Sequence, residues 1–171
     1  MYLGIDPGLT GALAALHADG RLLALHDVPT LTLHTSRGTK QGYDVPGMCA
    51  LLRPYAATQA HVLIEESQAM PGQGVRSMWT IGYGYGLWLG VLTALALPYT
   101  RVRPGVWKRA LALSKDKEAS RLRAQQLFPT ADLRRKKDHG RAEALLLAHW
   151  GRQPGGQARA LVGEDNSKLP L

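Results

Sequence analysis

Tyr2-Leu3-Gly4-Ile5-Asp6-Pro7-Gly8-Leu9-Thr10-Gly11 is the stretch on which the reading of this chain turns. Residues 2–6 read as a short apolar strand that ends in an acid, and Pro7 and Gly8 turn the chain. An acid in a central strand is costly to bury unless something pairs with it. At a strand end facing a cleft, a cation can do that, and Gly4 and Gly8 leave room for a phosphate to approach the backbone. An Asp before Pro-Gly also caps turns, so Asp6 alone leaves both readings open.

Working outward, Gly11–His17 reads as a second strand, Ala18-Asp19-Gly20 as a hairpin turn and Arg21–Val28 as a third strand, an antiparallel meander. Residues 29–44 read as loop, polar through 35–40. A helix follows from Pro46 to about Ala57, with its proline near the first turn. His61–Glu65 is an apolar strand that again ends in acid. A loop through Pro71 and Gly74 leads to a long helix, about Arg76–Leu95, then a strand at Tyr99–Val102. Pro104–Ala112 and Lys117–Leu127 read as short helices, Arg134–Lys137 as a basic loop, and Asp138–Trp150 as a final helix. This order predicts an α/β protein, a mixed five-stranded sheet of three meander strands then alternating helix and strand, flanked by helices. Residues 1–151 form the expected domain and 152–171 a flexible tail.

The remaining acids sharpen the picture. Glu65 and Glu66 follow Val62-Leu63-Ile64, and strand alternation lets only one of them share a given face, Glu65 with Leu63 and Glu66 with Ile64. In Asp138-His139-Gly140-Arg141-Ala142-Glu143, helical geometry sets His139 and Glu143 about 40° apart and Asp138 about 140° from Glu143. His139 and Glu143 can therefore converge on one ion, while Asp138 suits a helix N-cap. Carboxylates with one imidazole suit Mg²⁺ or Mn²⁺, and such a set can hold two ions about 3.5–4 Å apart across a phosphodiester.

The chain has 171 residues, 45% hydrophobic and 20% charged, with a net charge of +8. That is an ordinary globular composition with an unusual attraction for polyanions. Between Arg101 and Lys137 there are 12 Lys or Arg and 3 acids, which favours a nucleic-acid face. Cys49 is the sole cysteine, so no intrachain disulfide and no cysteine-based zinc site is expected, and the compartment is expected to be reducing. No signal peptide is visible. Ser77–Thr100 is uncharged, but its glycines, Pro98 and its Tyr, Thr and Trp fit a buried helix followed by a strand better than a membrane span.

The opening Tyr-Leu-Gly-Ile-Asp6-Pro-Gly-Leu-Thr-Gly resembles the first strand of RuvC-type Holliday junction resolvases, members of the RNase H-like superfamily. Val-Leu-Ile-Glu65-Glu resembles their second acidic strand. His139-Gly-Arg-Ala-Glu143-Ala-Leu-Leu-Leu-Ala resembles their final motif, as found in plastid resolvases and their bacterial and phage relatives. The motifs span residues 1–150 in the family's order.

The resemblance implies a homodimeric endonuclease that nicks four-way DNA junctions with Mg²⁺ or Mn²⁺, two ions per site. It implies Asp6, Glu65, His139 and Glu143 as metal ligands. The better-known bacterial enzymes space the last two ligands three apart, which here would begin at Gly140, so the third ligand lies between His139 and Asp138. Geometry favours His139, as a ligand or as an aid to the leaving oxygen. Lys108 falls at a phosphate-contacting position and Lys117 at a catalytic one near the scissile strand. Lys115, Arg121, Arg134, Arg135, Lys136 and Lys137 complete the expected DNA face. Bacterial members can place an aromatic in the loop after the second acid; here it holds Ser67 to Pro71, leaving Gln68 or Met70 for the crossover. Gly82, Gly86 and Gly90 recur on one helix face, which suits either the family's dimer interface or tight packing on the protein's own sheet.

The expected setting is the cytoplasm of a bacterial or phage-infected cell, or a plastid if a transit peptide has been removed. Neither a membrane nor a nucleotide cofactor is expected. Asp6-Pro-Gly-Leu-Thr-Gly superficially resembles the phosphate loop of actin-like sugar kinases, but the chain is short for their two lobes. Nucleases acting on RNA or RNA–DNA hybrid, and a non-catalytic junction binder, are the rival readings.

Overall fold

A computed structural model describes residues 1–36, 38–68, 71–114 and 116–156, with Lys117 described by its backbone. The expectations for Met70, Lys115, the Lys117 side chain and residues 157–171 lie outside the described residues. Strands β1 (Tyr2–Asp6), β2 (Ala12–Leu16) and β3 (Leu22–Asp27) form the antiparallel meander. β6 (His61–Glu65) and β7 (Tyr99–Val102) join in parallel, giving the sheet order β3-β2-β1-β6-β7. The five-stranded mixed sheet is thus as its sequence predicts.

The helices are α1 (Val45–Ala56), α2 (Val75–Ala94), α3 (Pro104–Ala110), α4 (Lys117–Leu127) and α5 (His139–Arg152). Asp44 caps α1 by accepting from Gly47 N, and Asp116 caps α4 by accepting from Glu118 N. Residues 153–156 close behind α5, with Gln153 N donating to Trp150 O at 3.0 Å and Gly156 N to Gln153 O at 2.9 Å.

The loop expected over 29–44 is instead a two-stranded ribbon, β4 (Thr30–Thr35) and β5 (Gly38–Tyr43), paired only with each other. Thr30-Leu-Thr-Leu-His-Thr has the period-2 alternation and β-branched residues of a strand, and Gly38 takes the positive φ of +119° at the turn.

Alternation along the sheet divides the core in two. Leu3, Ile5, Leu13, Val62 and Ile64 pack against α1 and α2, with Met48, Leu52, Trp88 and Leu92. Ala12, Ala14, Leu16 and Leu63 pack against α5, with Leu145, Leu146 and Trp150, and with Trp107 of α3 and Ala124 of α4. Among the described residues no helix is long and apolar enough to cross a membrane.

Candidate active site

β1 and β6 are parallel neighbours, so the acids that end them emerge at one end of the sheet. Leu3 and Ile5 face α1 and α2, which turns Tyr2, Gly4 and Asp6 toward α5. In β6, Leu63 faces α5 and Ile64 the other side, so Glu65 shares the α5 face while Glu66 turns away and meets Arg103 Nε at 3.2 Å. A Cβ on Gly4 would run into Ala144 O and Ala148 N, so the glycine lets α5 lie directly on β1. That close approach carries Glu143 over the strand end.

Gly140 resolves the spacing question. A Cβ there would meet Thr10 O and Gly11 Cα, and would lie 3.1 Å from Asp6 Oδ2. The first turn of α5 rests on the β1–β2 loop at this point, and no side chain fits. Asp138 is buried, and its carboxylate accepts from Arg135 N and Nε, each at 2.8 Å. Arg135 holds that carboxyl below its usual range against the opposing effect of burial. Asp138 occupies the N-cap position of α5 without a side-chain capping bond. It fastens the basic loop, so as placed the carboxylate of Asp138 is engaged by Arg135.

Glu65 accepts a hydrogen bond from Trp107 Nε1 at 2.8 Å. Burial, and then the negative charges of Glu143 and Asp6, push its carboxyl up to about 7, against the pull of Lys108 and Trp107. Lys108 Nζ lies 2.6 Å from Glu143 Oε1 and 5.2 Å from the centre of the Trp107 ring. Asp6 Oδ1 accepts from Gly8 N at 3.2 Å, so Asp6 also caps its turn. Tyr43 donates to Pro7 O at 3.2 Å, and burial, then the Asp6 charge, push its hydroxyl up to about 12.

His139 is half-buried at the start of α5 and acts electrostatically on Glu118 of α4. Its Nδ1 is buried with no hydrogen-bond partner.

Asp6 and Glu143 therefore both act on Glu65, and Lys108 pairs with Glu143 beside them. Among the described residues, no three acidic, His or Cys side chains stand close enough to grip an ion as placed. The donors fit a hard divalent cation in chemistry and charge: burial and then its acidic neighbours raise Glu65, and His139 holds a buried ring nitrogen with no hydrogen-bond partner. Their arrangement keeps Glu143 on Lys108, so ligation requires that side chain to turn.

The expected DNA face divides. Gln68, Arg134, Lys136 and Lys137 are exposed. Beside Lys108, a cleft of about 420 Å³ is lined by Pro104, Gly105, Lys108, Arg109, Leu113 and Ser114. Arg121 is corrected: its guanidinium donates to Leu133 O at 2.8 Å and pairs with Glu118, tying α4 to the loop ahead of α5. Arg135 is exposed as well, and its guanidinium pairs with Asp138. Neither residue type nor spacing separates a phosphate-binding arginine from one used inside the fold.

Trp107 and Tyr43 were absent from the sequence reading. Trp107 adjoins Lys108 in the chain, but its bond to Glu65 spans 42 residues.

The glycines of α2 are also sorted. A Cβ on Gly82, Gly86 or Gly90 meets nothing within 4 Å, whereas one on Gly84 would strike the Tyr43 ring. Tight packing on the protein's own sheet therefore does not explain Gly82, Gly86 or Gly90, while Gly84 gives room to Tyr43 of the ribbon. Val75, Trp79 and Tyr83 are exposed on the same face as the open glycines.

Thermus thermophilus RuvC in complex with a Holliday junction substrate superimposes with a TM-score of 0.59, at 19% identity, over 88% of this chain and 94% of that one. The chain has the fold of RuvC. A second Thermus thermophilus RuvC structure matches with a TM-score of 0.56, at 20% identity, over 88% of this chain and 95% of that one. A chloroplastic Holliday junction resolvase, MOC1 of Chlamydomonas reinhardtii, is 40% identical over 91 residues, 51% of this chain. The chain spans only 10% of that relative's length. No protein-family model matches the sequence.

Proposed function

We propose that this RuvC-fold chain is a divalent-metal-dependent endodeoxyribonuclease that resolves four-way DNA junctions as a homodimer, with residues 1–151 as the nuclease unit. The observation that carries this reading is the meeting of Asp6, Glu65 and Glu143 around Lys108 at one end of the sheet. Three acids gathered beside a basic cleft are costly for folding and useful for holding cations on a phosphodiester. The neighbours add support: one RuvC structure holds a Holliday junction substrate, and the algal relative is named a Holliday junction resolvase.

In this reading Asp6, Glu65 and Glu143 hold two Mg²⁺ or Mn²⁺ ions, with His139 supplying its ring nitrogen. Bound there, the ions supply Lewis acidity and a water made nucleophilic near neutral pH. Trp107 orients Glu65. Lys108 leaves Glu143 for a substrate phosphate and Lys117 serves the scissile strand, while Lys115, Arg134, Lys136 and Lys137 position the flanking strands. Gln68 or Met70 acts at the crossover.

A two-fold substrate calls for two sites related by a two-fold. The open Gly82-Gly86-Gly90 face of α2, with Val75, Trp79 and Tyr83, is the surface on which two copies would meet. The setting is a reducing compartment that holds recombining DNA, a bacterial or phage-infected cytoplasm, and the chloroplastic relative widens this to the plastid.

The test is cleavage of a synthetic four-way junction beside matched duplex and RNA–DNA hybrid, with Mg²⁺ or Mn²⁺. Paired nicks in the junction are expected, lost in Asp6→Asn while junction binding survives. Preferred cutting of hybrid would make the chain a different nuclease of this fold. Binding without cutting would make it a junction-binding protein.

A further inference from the structure

The β4–β5 ribbon has no part in either core beyond its foot, yet it is built with a definite face and a definite root. Every residue of β4 is exposed, as is β5 until Gly42 and Tyr43. Pairing sets Thr32 opposite Gln41, His34 opposite Thr39 and Leu33 opposite Lys40. Directly opposed residues share a face. One face therefore carries Thr30, Thr32, His34, Thr39 and Gln41, ending at Tyr43. The other carries Leu31 and Leu33, folded over Gly42, with Lys40 beside them. The polar face is ordered by Gln41 Nε2 donating to Thr32 Oγ1 at 3.2 Å.

The root is fastened to the loop that follows Asp6. Tyr43 donates to Pro7 O at 3.2 Å, Val28 N donates to Gly11 O at 3.0 Å, and Asp44 N closes the foot on Pro29 O at 3.0 Å. Tyr43 lies on the polar face, so the side of the ribbon that meets Pro7 is the side its Thr, His and Gln residues share.

From Val28 to Tyr43 the chain holds no carboxylate. A free two-stranded ribbon is marginal by itself and hazardous at its edges. Its six-residue strands reach roughly 20 Å, about six base pairs of duplex, and a two-stranded ribbon fits a major groove.

We propose that the β4–β5 ribbon is a duplex-DNA arm-binding element. Its Thr32–His34–Thr39–Gln41 face seats in a groove of the arm, and Lys40, on the opposite face of β5, wraps its long side chain over the ribbon's edge to a phosphate at the groove's rim. The proposal rests on the junction-nuclease reading for its substrate, and it adds a contact made by residues outside the acid cluster and rooted through Tyr43 on Pro7.

Two full-length variants test it. One is Lys40→Ala. The other removes residues 33–40 and joins Thr32 to Gln41 through Asn-Gly, leaving Tyr43 and its bonds in place. Binding of labelled four-way junction and linear duplex is followed by fluorescence anisotropy in EDTA across a salt series, with the thermal midpoint as the folding control. The shortened ribbon is expected to bind both DNAs about tenfold more weakly, and Lys40→Ala to lower the slope of log affinity against log salt by about 1. Wild-type affinity and slope in both variants, beside a wild type that binds and cuts junctions, overturn the ribbon proposal and leave the nuclease reading standing. A wild type that binds neither DNA overturns both. Because Lys40 is exposed and outside both cores, its variant reads binding free of any folding effect.

Discussion

Lys108 Nζ and Glu143 Oε1 stand 2.6 Å apart, and this ion pair neutralises part of a site that also holds Glu65 and Asp6. A divalent ion and a phosphate together would replace it, the ion taking Glu143 and the phosphate taking Lys108. The ammonium therefore acts as a resident counter-charge.

Removing that counter-charge should expose the repulsion. Lys108→Met is expected to destabilise the metal-free protein by about 2 kcal/mol near neutral pH, since it leaves a largely buried carboxylate unpaired. Mn²⁺ should restore more stability to this variant than it adds to the wild type. Denaturant unfolding in EDTA and in Mn²⁺ measures both.

Glu65 makes the second prediction, through pH. Its folded-state carboxyl is raised from 4.5 to about 7, so between those values the folded protein binds more protons than the unfolded chain. Stability in EDTA should therefore fall as pH rises through that window, by about 3 kcal/mol as an upper figure. Glu65→Gln should flatten the dependence and be the more stable protein above it. Unfolding curves at the two ends of the window check this, and a parallel decline in the variant would assign the effect elsewhere.

Trp107 should tune the same group. Trp107→Phe removes the Nε1 donor that favours the Glu65 carboxylate, which raises the carboxyl further. The acidic limb of the cleavage pH profile should move to higher pH by up to about one unit, with little change in binding of junction DNA.

Two glycines test the packing that brings α5 to the strand end. Gly140→Ala drives a Cβ into Thr10 O and Gly11 Cα, and should cost at least about 3 kcal/mol because backbone atoms must move. Gly86→Ala meets open space in mid-helix and should stabilise the folded chain by about 0.5–1 kcal/mol. Gly86→Trp should raise the dimer dissociation constant, read by sedimentation, if α2 joins two copies.

Much of this architecture is legible in the chain because its strands are short apolar runs punctuated by acids and glycine. Tyr2–Asp6 and His61–Glu65 each announce a buried strand and the end at which its acid emerges. The β4–β5 ribbon escaped because nearly all of it is exposed, and its second strand, Gly-Thr-Lys-Gln-Gly, holds a single β-branched residue. The site was legible as residue types but not as partnerships. Glu65 with Trp107, Glu143 with Lys108 and Asp27 with Arg141 join residues 42, 35 and 114 positions apart. Such pairs are created where the sheet, α3 and α5 meet, and no local pattern encodes them.

Anomalous scattering from a crystal of the wild type soaked in Mn²⁺ tests the central claim most directly. Manganese is predicted at the sheet end, ligated by Asp6, Glu65 and Glu143, with Lys108 swung off Glu143 and His139 at the rim. A soaked crystal with no manganese at those carboxylates, and Lys108 still on Glu143, would contradict it.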